Sequence, residues 1–169
     1  MSTQNAIQAE NQRDLSMEGK YLTFELAREE FGISILTVKE IIGMMTTTPV
    51  PSTPSWVLGV INLRGKVIPV VDLRLKFGME SRPFDDRTCI VVAEVNNQDE
   101  LLNIGVVVDS VNEVANVKEQ DVEKTPSFGV ELETDYIQGM AKNGEHVCIL
   151  LDINKVLGGE AIAQLRSAA

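Results

Sequence analysis

Histidine occurs once in these 169 residues, and cysteine twice. A lone His146 builds neither a multi-histidine metal site nor a Ser-His-Asp set. There is no C-x-x-C, no G-x-x-x-x-G-K-[ST] and no G-x-G-x-x-G, which removes the common redox, nucleotide and dinucleotide fingerprints. Cys89 and Cys148 both fall in apolar, strand-like runs and read as buried free thiols rather than a disulfide. Aromatic residues make up 5% of the chain and are not interleaved with basic ones; with a net charge of −10, nucleic acid is not an expected partner. No apolar stretch approaches the length of a membrane-crossing helix, and residues 1–17 hold no apolar core of a leader peptide and no cleavage site. The carboxylates cluster on polar loops rather than beside apolar runs that would raise a pKa. An enzyme is therefore disfavoured, and no catalytic residue, metal or cofactor is expected.

What the chain does have is an internal duplication. Gly32-Ile33-Ser34-Ile35-Leu36-Thr37-Val38-Lys39-Glu40-Ile41 returns as Gly105-Val106-Val107-Val108-Asp109-Ser110-Val111-Asn112-Glu113-Val114 without a gap. Further on, Trp56-Val57-Leu58-Gly59 matches Tyr136-Ile137-Gln138-Gly139, and the register holds to Asp72-Leu73 and Asp152-Ile153. The first block is offset by 73 residues and the second by 80, so copy two carries seven extra residues between its halves. Each unit is near the lower limit for an independent core, so two such units gain by packing on each other.

The charge is not shared equally between the copies. Residues 1–84 carry nine Lys/Arg and nine Asp/Glu, whereas residues 85–169 carry six against sixteen. Within the neutral half, Arg64, Lys66, Arg74, Lys76 and Arg82 outnumber Asp72 and Glu80 locally. The copies thus share a fold but not a surface, either as drift of solvated charge or as two faces for different partners.

Residues 1–17 are polar and aperiodic and read as a disordered tail. Strands are expected over Lys20–Leu26 and Phe31–Leu36, around a charged turn at Arg28-Glu29-Glu30. Thr37 and Ser110, each three residues before a glutamate, have the spacing of a capping box, which predicts one helical turn in each copy. Pro49, Pro51 and Pro54 mark irregular or edge structure. Trp56–Leu63 and Lys66–Leu73 flank a tight hairpin at Arg64-Gly65, with Asn143-Gly144 at the corresponding place in copy two. Asp72 and Asp152 read as N-caps of short helices stopped by Gly78 and Gly158; a metal or acid/base role for them is the enzyme-class alternative. Thr88–Val95 and Leu102–Asp109 are apolar strands around the loop Asn96–Glu100, and Val114–Lys118 is a further short strand. Asp121–Asp135 reads as a long acidic loop and Glu160–Arg166 as a terminal helix. The expectation is an all-β fold of small barrels with about ten strands.

With catalysis disfavoured, recognition remains. Arg64 sits at the tip of an otherwise apolar hairpin, either simply solvated or pairing its fork with a carboxylate such as Glu40 to hold a loop. Phe128, in Thr125-Pro126-Ser127-Phe128-Gly129-Val130, is either a local plug or an exposed apolar anchor for a partner.

Val38 to Ile41, Thr48-Pro49-Val50-Pro51 and above all G-V-I-N-L-R-G-K-V-I-P-V-V-D-L-R from Gly59 to Arg74 resemble the CheW family of bacterial chemotaxis coupling proteins. The resemblance covers about residues 18–165. It implies two five-stranded SH3-like barrels on a shared core, divided as 18–84 and 85–157, followed by a C-terminal helix and tail over 158–169. It also implies a non-catalytic cytoplasmic adaptor in membrane receptor arrays, linking chemoreceptor cytoplasmic tips to the regulatory domain of the chemotaxis histidine kinase. A coupling module for a non-flagellar chemosensory kinase is the alternative. By resemblance, Glu40, Gly59, Arg64 and Phe128 fall at kinase-binding positions, and Val38, Val108 and Val111 at receptor-binding ones.

Overall fold

Alternation of apolar residues along eleven short strands builds two sheets with a common interior. The structure, a computed structural model, describes residues 18–97, 99–123 and 136–157. The strands are β1 (Gly19–Leu26), β2 (Glu29–Ser34), β3 (Val38–Gly43), β4 (Val57–Leu63), β5 (Lys66–Asp72), β6 (Cys89–Asn97), β7 (Glu100–Val108), β8 (Ser110–Val117), β9 (Val122–Glu123), β10 (Ile137–Asn143) and β11 (His146–Leu151). Two short helices, α1 (Leu73–Lys76) and α2 (Ile153–Leu157), follow β5 and β11. The all-β expectation holds, with two barrel-like sheets; one has the expected five strands, and the two-residue β9 makes the other six-stranded.

The strand order is β3-β6-β7-β5-β4 in one sheet and β8-β1-β2-β11-β10-β9 in the other. Each sheet therefore mixes both copies of the repeat. β3 leaves β2 and pairs with β6 of copy two, while β8 leaves β7 and pairs with β1 of copy one. The contiguous division at residues 84/85 does not describe the barrels. The first, barrel one below, is β3 to β7; barrel two is β1, β2 and β8 to β11. Two crossovers carry the chain between them: Ile35–Thr37, a 3-10 turn, and Asp109 between β7 and β8.

Period-two patterning sends alternate side chains into different interiors. Among the described residues, buried side chains gather in three clusters. Ile90 and Val92 join Ile61, Ile68, Val70 and Val107 inside barrel one. Tyr21, Val117, Ala141, Cys148 and Leu150 fill barrel two. Between the barrels lies the largest cluster, with Leu22, Phe24, Leu26, Phe31 and Ile33 from one sheet against Val91, Ala93, Val95, Ile104, Val106 and Val108 from the other. Each fully buried Leu, Ile or Phe there contributes about 1.5–3 kcal/mol, so neither sheet gains its full stability alone.

The duplication is visible in detail. β4 is bulged between Val57 and Gly59, and β10 between Ile137 and Gly139. The amide of Asp72 donates to the Trp56 carbonyl, and that of Asp152 to Tyr136, both at 2.8 Å. Both aspartates cap as expected: Asp72 Oδ1 accepts from the amides of Arg74 (3.0 Å) and Leu75 (3.5 Å), and Asp152 Oδ1 from Asn154 (3.0 Å).

Several local expectations are corrected. Thr37 does not cap a helix. Ser34 Oγ accepts from the Leu36 amide, and 38–43 is a strand, because its β-branched residues find the edge of β6. Ser110 likewise opens β8 rather than a helical turn. The β1–β2 turn is Ala27-Arg28, both at positive φ, so Glu29 and Glu30 belong to β2. At the second hairpin Asn143 pairs with His146, which leaves Gly144-Glu145 at the tip. Glu160–Arg166 and most of Asp121–Asp135 lie outside the described residues, although Val122–Glu123 forms β9.

Candidate functional site

Barrel one is closed at two places, where β3 and the segment that follows it come back to β4 and its hairpin turn. At one place Thr48 and Val60 exchange backbone hydrogen bonds of 2.8 and 2.9 Å. At the other, Arg64 Nη2 donates to Glu40 Oε2 in a salt bridge. Arg64 and Gly65 both have positive φ, as the mirror-image turn of a two-residue hairpin requires, and the Gly65 amide is held by Asn62 Oδ1 at 2.9 Å. This turn aims the guanidinium back across the seam. Of the two readings of Arg64, the structure takes the paired one. The Arg64 side chain is still 72% exposed, so the pair sits on the surface.

Exposed apolar residues lie near the pair in sequence. Ile41 follows Glu40 on β3, and Val67 follows Lys66 on β5; both are exposed. Barrel one thus exposes apolar side chains as well as an ion pair held in place by its turn. Barrel two keeps the apolar positions, Val114 and Val147, also exposed. There the repeat puts Gly144 for Arg64 and His146 for Lys66. The two barrels thus offer one shape with two electrostatic characters.

The remaining predicted residues separate by burial. Gly59 is buried at the β4 bulge, where it admits the returning segment at Thr48. Val38 and Val111, matched by the repeat, are the first residue of β3 and the second of β8 and are half-buried against the shared core. Val108 is only 1% exposed and belongs wholly to that core. It therefore offers a partner no surface, and direct contact is corrected for this residue: its place on β7 alternates it inward between the sheets. Phe128 lies outside the described residues.

One feature was missed from sequence. Asp109, on the second crossover, accepts from Arg74 Nε at 2.7 Å and Arg74 Nη2 at 2.6 Å, and from the Ala27 amide at 2.9 Å. Arg82 Nη1 stands 3.5 Å from the same carboxylate. Burial alone would push the Asp109 carboxyl up, but the Arg74 and Ala27 hydrogen bonds, with the charges of Arg74 and Arg82, hold it below the usual carboxylate range. The available signal was a break in the repeat, since Asp109 stands where copy one has Leu36. Asp72 shows the opposite balance: burial raises its carboxyl despite the two capping hydrogen bonds. Burial, with the negative charge of Glu30 beside it, pushes the Cys148 thiol up to about 12. Among the described residues no three His, Cys, Asp or Glu side chains gather as a metal ion would require, and no helix is long and apolar enough to cross a membrane.

Known proteins share this fold. The model of the CheW-like domain matches residues 20–161. The chain is 37% identical over 150 residues to the chemotaxis protein CheW of Klebsiella aerogenes, covering 89% of this chain and 88% of that one. To the chemotaxis protein CheW of Rhizobium meliloti it is 34% identical over 140 residues, covering 82% and 87%. The crystal structure of the scaffolding protein TtCheW from Thermoanaerobacter tengcongensis superposes with a TM-score of 0.74 at 31% identity, covering 86% of this chain and 96% of that one. A duplicated pair of interlocked barrels and a family match across most of its length lead to one conclusion: this chain belongs to the CheW-like domain family.

Proposed function

We propose that this protein is a non-catalytic adaptor that couples the cytoplasmic tips of chemoreceptors to the chemotaxis histidine kinase in signalling arrays. The observation that carries the reading is the seam of barrel one, where the largely exposed Arg64 pairs with Glu40, with Ile41 and Val67 exposed on the same barrel. Apolar area supplies affinity at such a surface, and the charged centre supplies register and partner choice. In this reading the regulatory domain of the kinase docks on that seam through Arg64 and Glu40. Gly59 acts from beneath by holding the seam closed. Phe128 supplies a second kinase contact, and Val38 and Val111 contribute to the receptor site. An adaptor of this kind works by coupling free energy between two bound partners and by multivalency within an array.

The test is a calorimetric titration against the isolated regulatory domain of the organism's chemotaxis kinase, with Arg64→Ala alongside. One-to-one saturable binding by the parent protein, weakened in a variant whose melting temperature is unchanged, is the expected result. Wild-type strength binding by Arg64→Ala would remove the seam from the kinase contact. Absence of binding by a folded parent protein would redirect the search to the kinase of another chemosensory system.

A further inference from the structure

We infer that the two barrels move against each other about a pivot at the second crossover, where Arg74 grips Asp109, and that the first crossover, at Ser34–Thr37, is the end that opens. The duplication makes the comparison internal. Each crossover carries one strand from one barrel to the other, and each has a short helix beside it. In the repeat register Asp109 corresponds to Leu36, and Arg74 on α1 to Asn154 on α2.

At the second crossover, polar ties join both barrels. Arg74, just after β5 of barrel one, forks onto Asp109 with side chains only 14% and 11% exposed. The carboxylate also takes the amide of Ala27 in the β1–β2 turn of barrel two. The Asp109 amide donates to the Glu25 carbonyl of β1 at 3.0 Å. Arg74 Nη1 reaches the Glu80 carbonyl at 3.1 Å, and Arg82 adds a second cation. The Arg74–Asp109 bonds are bidentate, charge-assisted and part-buried, roughly twice as strong as neutral hydrogen bonds.

At the first crossover the corresponding ties recorded among the described residues are local or neutral. Ser34 Oγ accepts from the Leu36 amide at 3.3 Å, and Thr37 Oγ1 donates to the Ser34 carbonyl at 2.7 Å; both stay within the turn. The residue in the place of Asp109 is Leu36, 89% exposed and holding nothing across. Asn154 ties the barrels by one exposed hydrogen bond, accepting from the Asn96 amide at 2.8 Å. Apolar packing of the shared core acts at both ends, whereas among the described residues the charged ties between the barrels that the structure records are at one end. A twofold-like body pinned on one side opens on the other. The inference does not depend on which partners the protein binds.

Pulsed electron-paramagnetic distance measurements on doubly spin-labelled full-length protein test it, in a Cys89→Ala background. One pair, at Leu101 of β7 and Asn116 of β8, spans the barrels near the first crossover; the other, at Asp86 and Glu29, spans them near the second. All four positions are exposed. The expected result is a broad distance distribution for the first pair and a narrow one for the second, with Arg74→Ala broadening the second. Arg74→Lys, which keeps the charge and loses the fork, gives an intermediate width and serves if the alanine variant does not fold. A first pair no broader than the second in the parent protein would overturn the pivot, as would a second pair left unchanged in a folded Arg74 variant.

Discussion

The carbonyl oxygen of Thr48 occupies the space that a side chain on Gly59 would need: a Cβ built there lies 2.1 Å from that oxygen and 2.6 Å from its carbon. Gly59 has φ of +138°, which side chains also disfavour. Gly59→Ala is therefore expected to push the Thr48 segment off β4 and to cost about 2 kcal/mol or more. Urea denaturation measures the loss. An unchanged midpoint would mean that the segment yields freely and does not close the barrel.

Gly32 and Gly105, the matched glycines of the repeat, both face barrel interiors but with unequal room. A Cβ on Gly105 meets Ile90 Cγ2 at 2.8 Å, whereas one on Gly32 meets Cys148 Sγ at 3.2 Å and Leu150 Cδ2 at 3.3 Å. Overpacking of this kind costs about 1–3 kcal/mol, and Gly105→Ala should lie at the upper end with Gly32→Ala below it. Thermal melts of the two variants decide the order; the reverse ranking would show that barrel two is the more tightly packed.

The thiols should differ sharply. Cys148 is buried and its thiol is pushed up to about 12, whereas Cys89 is partly exposed. Iodoacetamide near pH 8 is expected to label Cys89 in the native protein and Cys148 only on unfolding. Stability follows the same imbalance. The unfolded thiol ionises near ~8.5 and the folded one near about 12, so in between the folded state binds more protons. Stability therefore falls as pH rises through that window. Mass spectrometry after labelling, with melts across the alkaline range, checks both statements.

Asp109 governs the acid side. Its folded carboxyl lies below the ordinary range because Arg74 and Ala27 hold the charged form more than burial opposes it. The unfolded chain takes up that proton near ~3.9, so Asp109 contributes stability above that pH and loses it progressively below. Asp109→Asn should destabilise the protein at neutral pH and flatten the decline of stability on acidification. Melts of both proteins between neutral pH and the acid limit test this; parallel acid limbs would show that other carboxylates dominate.

Much of the strand pattern was legible because it depends on nearest neighbours in sequence. Alternation located β1, β4, β5, β6 and β7, and the aspartates at 72 and 152 announced their caps. The Thr37 capping box failed where a spacing rule met tertiary context: Val38, Ile41 and Ile42 extend because β6 offers an edge to pair with. Arg64 and Glu40 were legible as a candidate pair, 24 residues apart, because an arginine at the tip of an otherwise apolar hairpin invites a carboxylate partner. Arg74 and Asp109 were not, since an ion pair 35 residues apart leaves no periodicity.

By itself, the sequence determined that the protein is all-β, duplicated and charged unequally between its copies, because composition and period are properties of the chain. Only the tertiary structure decided that β3 and β8 change places, that Val108 faces inward and that one crossover is clasped by a charged pair while the other has a neutral hydrogen bond. The physical reason is that a strand's alternation fixes which of its faces is apolar but says nothing about which edge its backbone hydrogen bonds will meet. That choice is made by the packing of both sheets on one core.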